Sequence, residues 1–202
     1  FVHCLLVDVL HARISAPKEV NQGAVELPNG WLQVKPGGQT ICARGEEFSF
    51  FVAPGTSNRV VVDFIGGGAC WNAKTCAKET ATFADNLDLV REQYRKGLKG
   101  IYNRSRADNP VKDWTHVVIP YCTGDIHWGD NTVTYQKENG EEFQINHRGA
   151  VNSRAALDWM NANVSNPDKI LVTGCSAGAY GSIYWLPHVK KSYPQAEIFQ
   201  LA

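Results

Sequence analysis

Residues 174–178 read Gly-Cys-Ser-Ala-Gly, a G-x-S-x-G, and that spacing has a chemical reason. A serine hydroxyl that attacks an ester carbonyl must stand clear of the chain that carries it. A sharp strand-to-helix turn achieves this, and bare glycines two residues to either side let the strand and helix close on each other. Ser176 is therefore the expected nucleophile. The plainer alternative is a glycine-rich helix start with Ser176 as its N-cap. Gly66-Gly67-Gly68 supplies a second ingredient. Acyl transfer needs backbone N–H groups aimed where negative charge develops. Ala177, directly after the nucleophile, and the glycine loop, which follows an earlier strand, are expected to supply that oxyanion hole; the alternative is a purely structural triple glycine. A phosphate cradle is excluded because no G-x-x-x-x-G-K-[ST] follows.

The segment PYCTGDIHWGD (120–130) leaves the C-terminal end of another apolar run, where open α/β sheets bind ligands. Asp125, His127 and Trp128 are expected to line the site. Trp71 and Trp128 have the flat apolar faces to stack on a sugar ring or to floor an acyl pocket. His147 and Arg148, at the start of a helical stretch, are expected to brace structure rather than react. The partners of a nucleophilic serine are harder to find. An elbow of this kind is followed in chain order by an acid and then a histidine. After Ser176 the sequence offers only His188 and Glu197. His188 falls in the helix after the elbow and points away, and Glu197 begins the next strand. His127 would require a reversed chain order.

These residues need a scaffold. FSFFVAP (48–54), KILVTG (169–174) and AEIFQLA (196–202) read as strands, and RVVVDFI (59–65) and THVVIPY (115–121) have the nearly continuous apolar pattern of strands covered on both faces. Residues 17–46 read as a lead-in with short strands, and 73–107 as unevenly helical. A long polar loop is expected from 121 to about 145. HRGAVNSRAALDWMNANV (147–164) reads as a helix with Val151, Ala155, Trp159 and Ala162 on its buried stripe. A further helix follows the elbow, with Pro187 expected to kink or end it. Strands alternating with helices predict a mostly parallel sheet in an α/β fold.

Composition narrows the function classes. The 202 residues carry 20 Lys+Arg against 20 Asp+Glu, a formal net charge of zero, which excludes a basic nucleic-acid binder. No apolar stretch is long enough for a membrane span. The six cysteines include no CxxC pair and no His at metal-ligand spacing, which argues against zinc. They read either as buried thiols or as disulfides of an exported protein. Residues 1–16, FVHCLLVDVLHARISA, read as the remnant of a signal peptide or as an N-terminal extension. Sequons at Asn103 and Asn163 decide nothing. Both ends read as cut, the chain opening on Phe1 and stopping just after an apolar run.

FIGGGACWNAKTC, IPYCTGDIHWGD, HRGAVN and GCSAGAYGS together, in that order, resemble the pectinacetylesterase family over residues 30–202. The family takes in plant pectin acetylesterases and Notum-like animal carboxylesterases. The form here is most similar to bacterial members, because Ile65 precedes the glycines, Ala69 follows them and Trp71 comes after Cys70. The resemblance implies an α/β-hydrolase-like, mostly parallel sheet with flanking helices over residues 17–202, ending after the elbow helix and the next strand. It implies Ser176 as nucleophile, with Gly67, Gly68 and Ala177 as oxyanion hole. Disulfides Cys70–Cys76 and Cys42–Cys122 are implied too, with Cys175 free beneath the elbow. The family's acid and histidine would lie beyond Ala202. The expected activity is serine carboxylic-ester hydrolysis, removing O-acetyl groups from a carbohydrate, by an exported monomer that uses no metal or organic cofactor and binds no nucleic acid. The alternatives are a non-catalytic carbohydrate-binding relative and a lipid or protein deacylase of the same fold.

Overall fold

The computed structural model describes residues 24–96 and 98–202; the expectation for residues 1–16 lies outside them. In chain order the elements are β1 (Ala24–Leu27), β2 (Trp31–Val34), β3 (Phe50–Ala53), β4 (Arg59–Phe64), α1 (Ala73–Cys76), α2 (Asp88–Lys96), β5 (Thr115–Ile119), β6 (Asn131–Gln136), β7 (Glu142–His147), α3 (Gly149–Asn163), β8 (Lys169–Gly174), α4 (Ala177–Ser192) and β9 (Glu197–Leu201). A seven-stranded sheet runs β1-β2-β3-β5-β4-β8-β9. Its centre, β5-β4-β8-β9, is parallel, with Val62 opposite both Val117 and Val172. An antiparallel flank of β3, β2 and β1 extends it on the β5 side.

The runs at 59–65, 115–121 and 169–174 form central strands because both faces are covered, whereas the run at 196–202 forms the edge strand β9 and is mostly exposed. Val60, Val62, Phe64, Val117, Ile119, Ile170 and Val172 pack with Ala156 and Met160 of α3 and with Trp185 and Val189 of α4. On the opposite face Phe51, Ala53 and Val118 pack with Trp31, and Val90 of α2 and Tyr102 close over them. A third cluster joins Tyr121, Cys70, Cys76, Phe83, Ile145 and Ala177 beside the glycine loop.

Three expectations are corrected. The long loop to residue 145 contains the β6/β7 hairpin, in register from Asn131 opposite His147 to Gln136 opposite Glu142. The buried face of α3 is Asn152, Ser153, Ala156, Leu157 and Met160 rather than the stripe through Val151 and Ala162. Two polar residues are buried there because each has a partner: Asn152 exchanges hydrogen bonds with the backbone of Ile41, and Ser153 meets His127. Finally, α4 continues through Pro187 to Ser192, because Trp185 and Val189 on either side of the proline are held in the core.

Candidate active site

The site stands where β4 and β8, neighbours in the sheet, end side by side. Ser176 follows β8 with φ 58° and ψ −124°, a left-handed conformation that strains any residue with a Cβ. The strain is held because the turn has no slack. A Cβ on Gly174 would lie 2.2 Å from the carbonyl oxygen of Gly178, and one on Gly178 would lie 1.8 Å from that of Phe64. The two outer glycines of the motif are thus bare because strand and helix touch there. Ser176 itself is exposed. It occupies the N-cap position of α4, but its side chain makes no capping bond there.

The glycine loop leaves β4 directly against this turn. A Cβ on Gly66 would be 2.2 Å from the oxygen of Cys175 and 3.0 Å from Cβ of Ser176. Gly67 is pressed by the Tyr121 ring, and Gly68 takes φ +76° with the Thr82 carbonyl where a side chain would go. The Gly67 oxygen accepts from Ala84 N–H at 2.8 Å. Adjacent strands therefore bring the glycine loop, at Gly66, against the elbow at Cys175 and Ser176, although some 110 residues separate them in the chain.

Two disulfides frame the loop. Cys42–Cys122 ties the lead-in to the end of β5, and Cys70–Cys76 closes the turn that follows the glycines. Cys175 is free but exposed, not buried beneath the elbow. Cys70, Cys76 and His147 lie close enough together to suggest a metal trio. The two sulfurs are bonded to each other, however, and both His147 nitrogens are engaged, Nδ1 with the Thr123 oxygen and Nε2 with Tyr135 Oη. Arg148 pairs with Asp130 at 2.8 Å, so His147 and Arg148 both brace the fold.

The 120–130 segment behaves differently from expectation. Trp128 remains on the surface, its ring tilted against Tyr184 at 5.3 Å, and Trp71 is 69% exposed. Asp125 is turned inward instead. Its carboxylate accepts from Thr123 Oγ1, His127 N and Gly149 N, pinning the loop to the start of α3; burial raises its pKa, against the pull of those bonds. His127 is 1% exposed and so cannot line an open cleft. Desolvation pushes its pKa down to about 4, keeping the ring neutral.

A cavity of about 380 Å³ between α3 and α4, bordered by Arg154, Asp158, Trp185 and His188, includes neither Ser176 nor the glycine loop. His188 lies against Trp185 and Tyr184. His116 donates from Nε2 to the Val111 oxygen on the far side of β5. Each of the four described histidines thus has its place elsewhere, and none is bonded to Ser176.

A parallel sheet with a strained, exposed serine between strand and helix, and a glycine loop beside it, defines the α/β-hydrolase class of fold. The pectinacetylesterase family model matches residues 30–202, and the chain belongs to that family. It is 26% identical over 178 residues to pectin acetylesterase 11 of Arabidopsis thaliana, covering 86% of this chain and 44% of that protein. It is 25% identical over 155 residues to the palmitoleoyl-protein carboxylesterase NOTUM of Schmidtea mediterranea, covering 74% of this chain and 28% of that protein. The Wnt deacylase Notum from Drosophila superposes with a TM-score of 0.56 at 17% identity, over 88% of this chain and 49% of that structure. The chain therefore spans less than half the length of these relatives. Its disulfides suit an oxidising compartment, and no described helix is long and apolar enough to cross a membrane.

Proposed function

We propose that the protein is a serine carboxylic-ester hydrolase that removes O-acyl groups, acetyl foremost, from a carbohydrate. One observation carries the reading. Ser176 is exposed at φ 58°, ψ −124° on a turn whose flanking glycines have no room for a side chain. Structures retain such strain where a side chain must be presented.

In this reading a histidine takes the Ser176 Oγ proton as the oxygen attacks the ester carbonyl. The Gly67, Gly68 and Ala177 amides stabilise the tetrahedral oxyanion. The C–O bond to the sugar then breaks, the leaving oxygen takes the proton from the histidine, and water releases the acyl group from Ser176. We place the histidine and its acid in parts of the full-length protein outside residues 17–202, since every described histidine is committed elsewhere. Residues 17–202 are then part of a hydrolase domain. The names of the plant relatives support an acetyl ester of a polysaccharide, and the disulfides support an exported enzyme.

The test is a fluorophosphonate probe on the full-length protein, followed by turnover of acetyl and long-chain esters. Labelling lost in Ser176→Ala, with acetyl esters preferred, supports the reading. Labelling unchanged in that variant overturns the nucleophile. Carbohydrate binding without labelling or turnover identifies a non-catalytic relative, and a preference for long chains a lipid or protein deacylase.

A further inference from the structure

His127 is built into the fold more firmly than a loop residue needs to be. Its ring lies edge-on to Phe64 at 5.2 Å and tilted on Tyr121 at 5.0 Å. Gly181 of α4 faces it with no room for a side chain, since a Cβ there would be 2.7 Å from the ring. Its backbone oxygen accepts from Trp185 Nε1 at 3.1 Å. Ile126 and His127 are consecutive non-glycine residues at φ 53° and 67°, each costing on the order of 1 kcal/mol. Tyr121 Oη holds the first through Ile126 N–H, and Asp125 Oδ1 holds the second through His127 N–H.

The ring nitrogens show what this is for. Nε2 is 2.9 Å from the Ile65 oxygen and must carry the proton, because a carbonyl can only accept. Ser153 Oγ, 3.3 Å from Nδ1, then donates to it and fixes the tautomer. Ile65 carries the last carbonyl before Gly66-Gly67-Gly68, and its peptide is one rigid plane with Gly66 N–H. Three glycines in a row have more backbone freedom than any other tripeptide. Their path is set from outside, by His127 at the first peptide and by the Ala84 N–H at the Gly67 oxygen.

We propose that His127 is a positioning residue: a neutral imidazole that locks the Ile65–Gly66 peptide and thereby aims the glycine-loop amides at the oxyanion formed on Ser176. This rests on the hydrolase reading above. The lock links two helices to the loop, since Ser153 belongs to α3 and Gly181 and Trp185 to α4. The oxyanion hole is thereby held in register with the elbow helix that bears its other donor, Ala177. Burial, which keeps the ring uncharged, serves the same end by maintaining one donor and one acceptor.

The test compares His127→Phe, His127→Gln and Ser153→Ala in the full-length protein, with Ser176→Ala as reference. Phenylalanine keeps a ring against Phe64 and Tyr121 but has no donor. Glutamine keeps an N–H at the distance of Nε2. The expected result is a 10- to 100-fold fall in kcat for His127→Phe with KM changed less than about threefold, below the loss for deleting an oxyanion donor outright. His127→Gln should recover at least half of that loss on a logarithmic scale, and Ser153→Ala should lower kcat several-fold with unchanged thermal stability. Equal kcat in the Phe and Gln variants, or a raised KM at unchanged kcat, would overturn the proposal while leaving Ser176 in place. Should His127→Phe fail to fold, Ser153→Ala with wild-type kcat overturns it. Probe labelling that survives Ser176→Ala removes the hydrolase reading, and this inference with it.

Discussion

Gly178 of α4 lies directly on the Phe64 carbonyl at the end of β4, so that a Cβ would stand 1.8 Å from that oxygen and 2.7 Å from its carbon. Neither atom can yield without moving a central strand. Gly178→Ala should therefore cost more than about 3 kcal/mol, the upper range for overpacking, and should abolish Ser176 labelling as the elbow shifts. Gly140→Ala is the control. Gly140 has φ +85° but open space around it, so only the backbone term of about 1 kcal/mol applies. Equal urea midpoints for the two variants would contradict the close approach.

That contact also shows what the sequence discloses. The G-x-S-x-G spacing already requires a strand and helix in contact, and the runs at 59–65, 115–121 and 169–174 are apolar enough to be read as central strands. The β6/β7 hairpin is harder to see, because NTVTYQ and EFQINH are half polar and mostly exposed. Asn139-Gly140 between two alternating runs was the available signal. The buried face of α3 is hidden for another reason: Asn152 and Ser153 look like surface residues until their partners at Ile41 and His127 are known. His127 has the same difficulty. Nothing in the sequence around it separates a ring that faces substrate from one that holds a carbonyl 62 residues away.

Acid should destabilise the protein in a window set by buried histidines. Burial holds both His116 and His127 at about 4 in the folded state, against an ordinary 6.5. The unfolded chain therefore binds more protons below pH 6.5, so stability falls as pH drops from about 6.5 to 4 and levels off below. Each histidine contributes a loss of about 3 kcal/mol. Asp63, raised by burial to about 6 while Tyr102 donates to it, acts in the opposite sense and offsets one of them. His116 is the cleaner probe, since its buried Nδ1 has no partner. His116→Phe should shrink the stability difference between pH 7 and pH 4 by about 3 kcal/mol, measured by urea titration at both. An unchanged difference would show that His116 titrates normally.

The two disulfides should separate stability from activity. Cys42 and Cys122 are 80 residues apart, so in the chain-entropy model their bond restricts the unfolded state by about 4.5 kcal/mol. Cys70 and Cys76 are 6 apart, worth about 2 kcal/mol in the same model. The shorter loop follows the glycines, and Cys70 N–H donates to the Gly124 oxygen at 2.9 Å. Replacing Cys42 and Cys122 by alanine should lower the urea midpoint more. Replacing Cys70 and Cys76 should slow Ser176 labelling more, by about tenfold, for a smaller loss of stability. The reverse ranking in both assays would place the short bridge in a purely structural role.

Trp71 exposes 69% of its surface yet stands on a fixed base. Its N–H donates to Thr75 Oγ1 at 3.0 Å, and the Asn72–Thr75 capping box fixes the turn beneath it. An indole held out in this way gives up little of its own stabilisation to reach a ligand, and stacking on a sugar ring would contribute about 1 kcal/mol. Trp71→Ala should raise KM for an acetylated polysaccharide about five- to tenfold, leave kcat for a small aryl acetate unchanged, and move stability by less than about 0.5 kcal/mol. Trp128→Ala is less selective, because Trp128 also packs its ring against Tyr184 and donates to the Tyr180 oxygen. Its loss should lower stability as well as binding. If Trp71→Ala shifts KM equally for the polymer and the aryl ester, the indole lies over the acyl group instead of the sugar. If it shifts neither, the exposed ring does not take part in substrate binding.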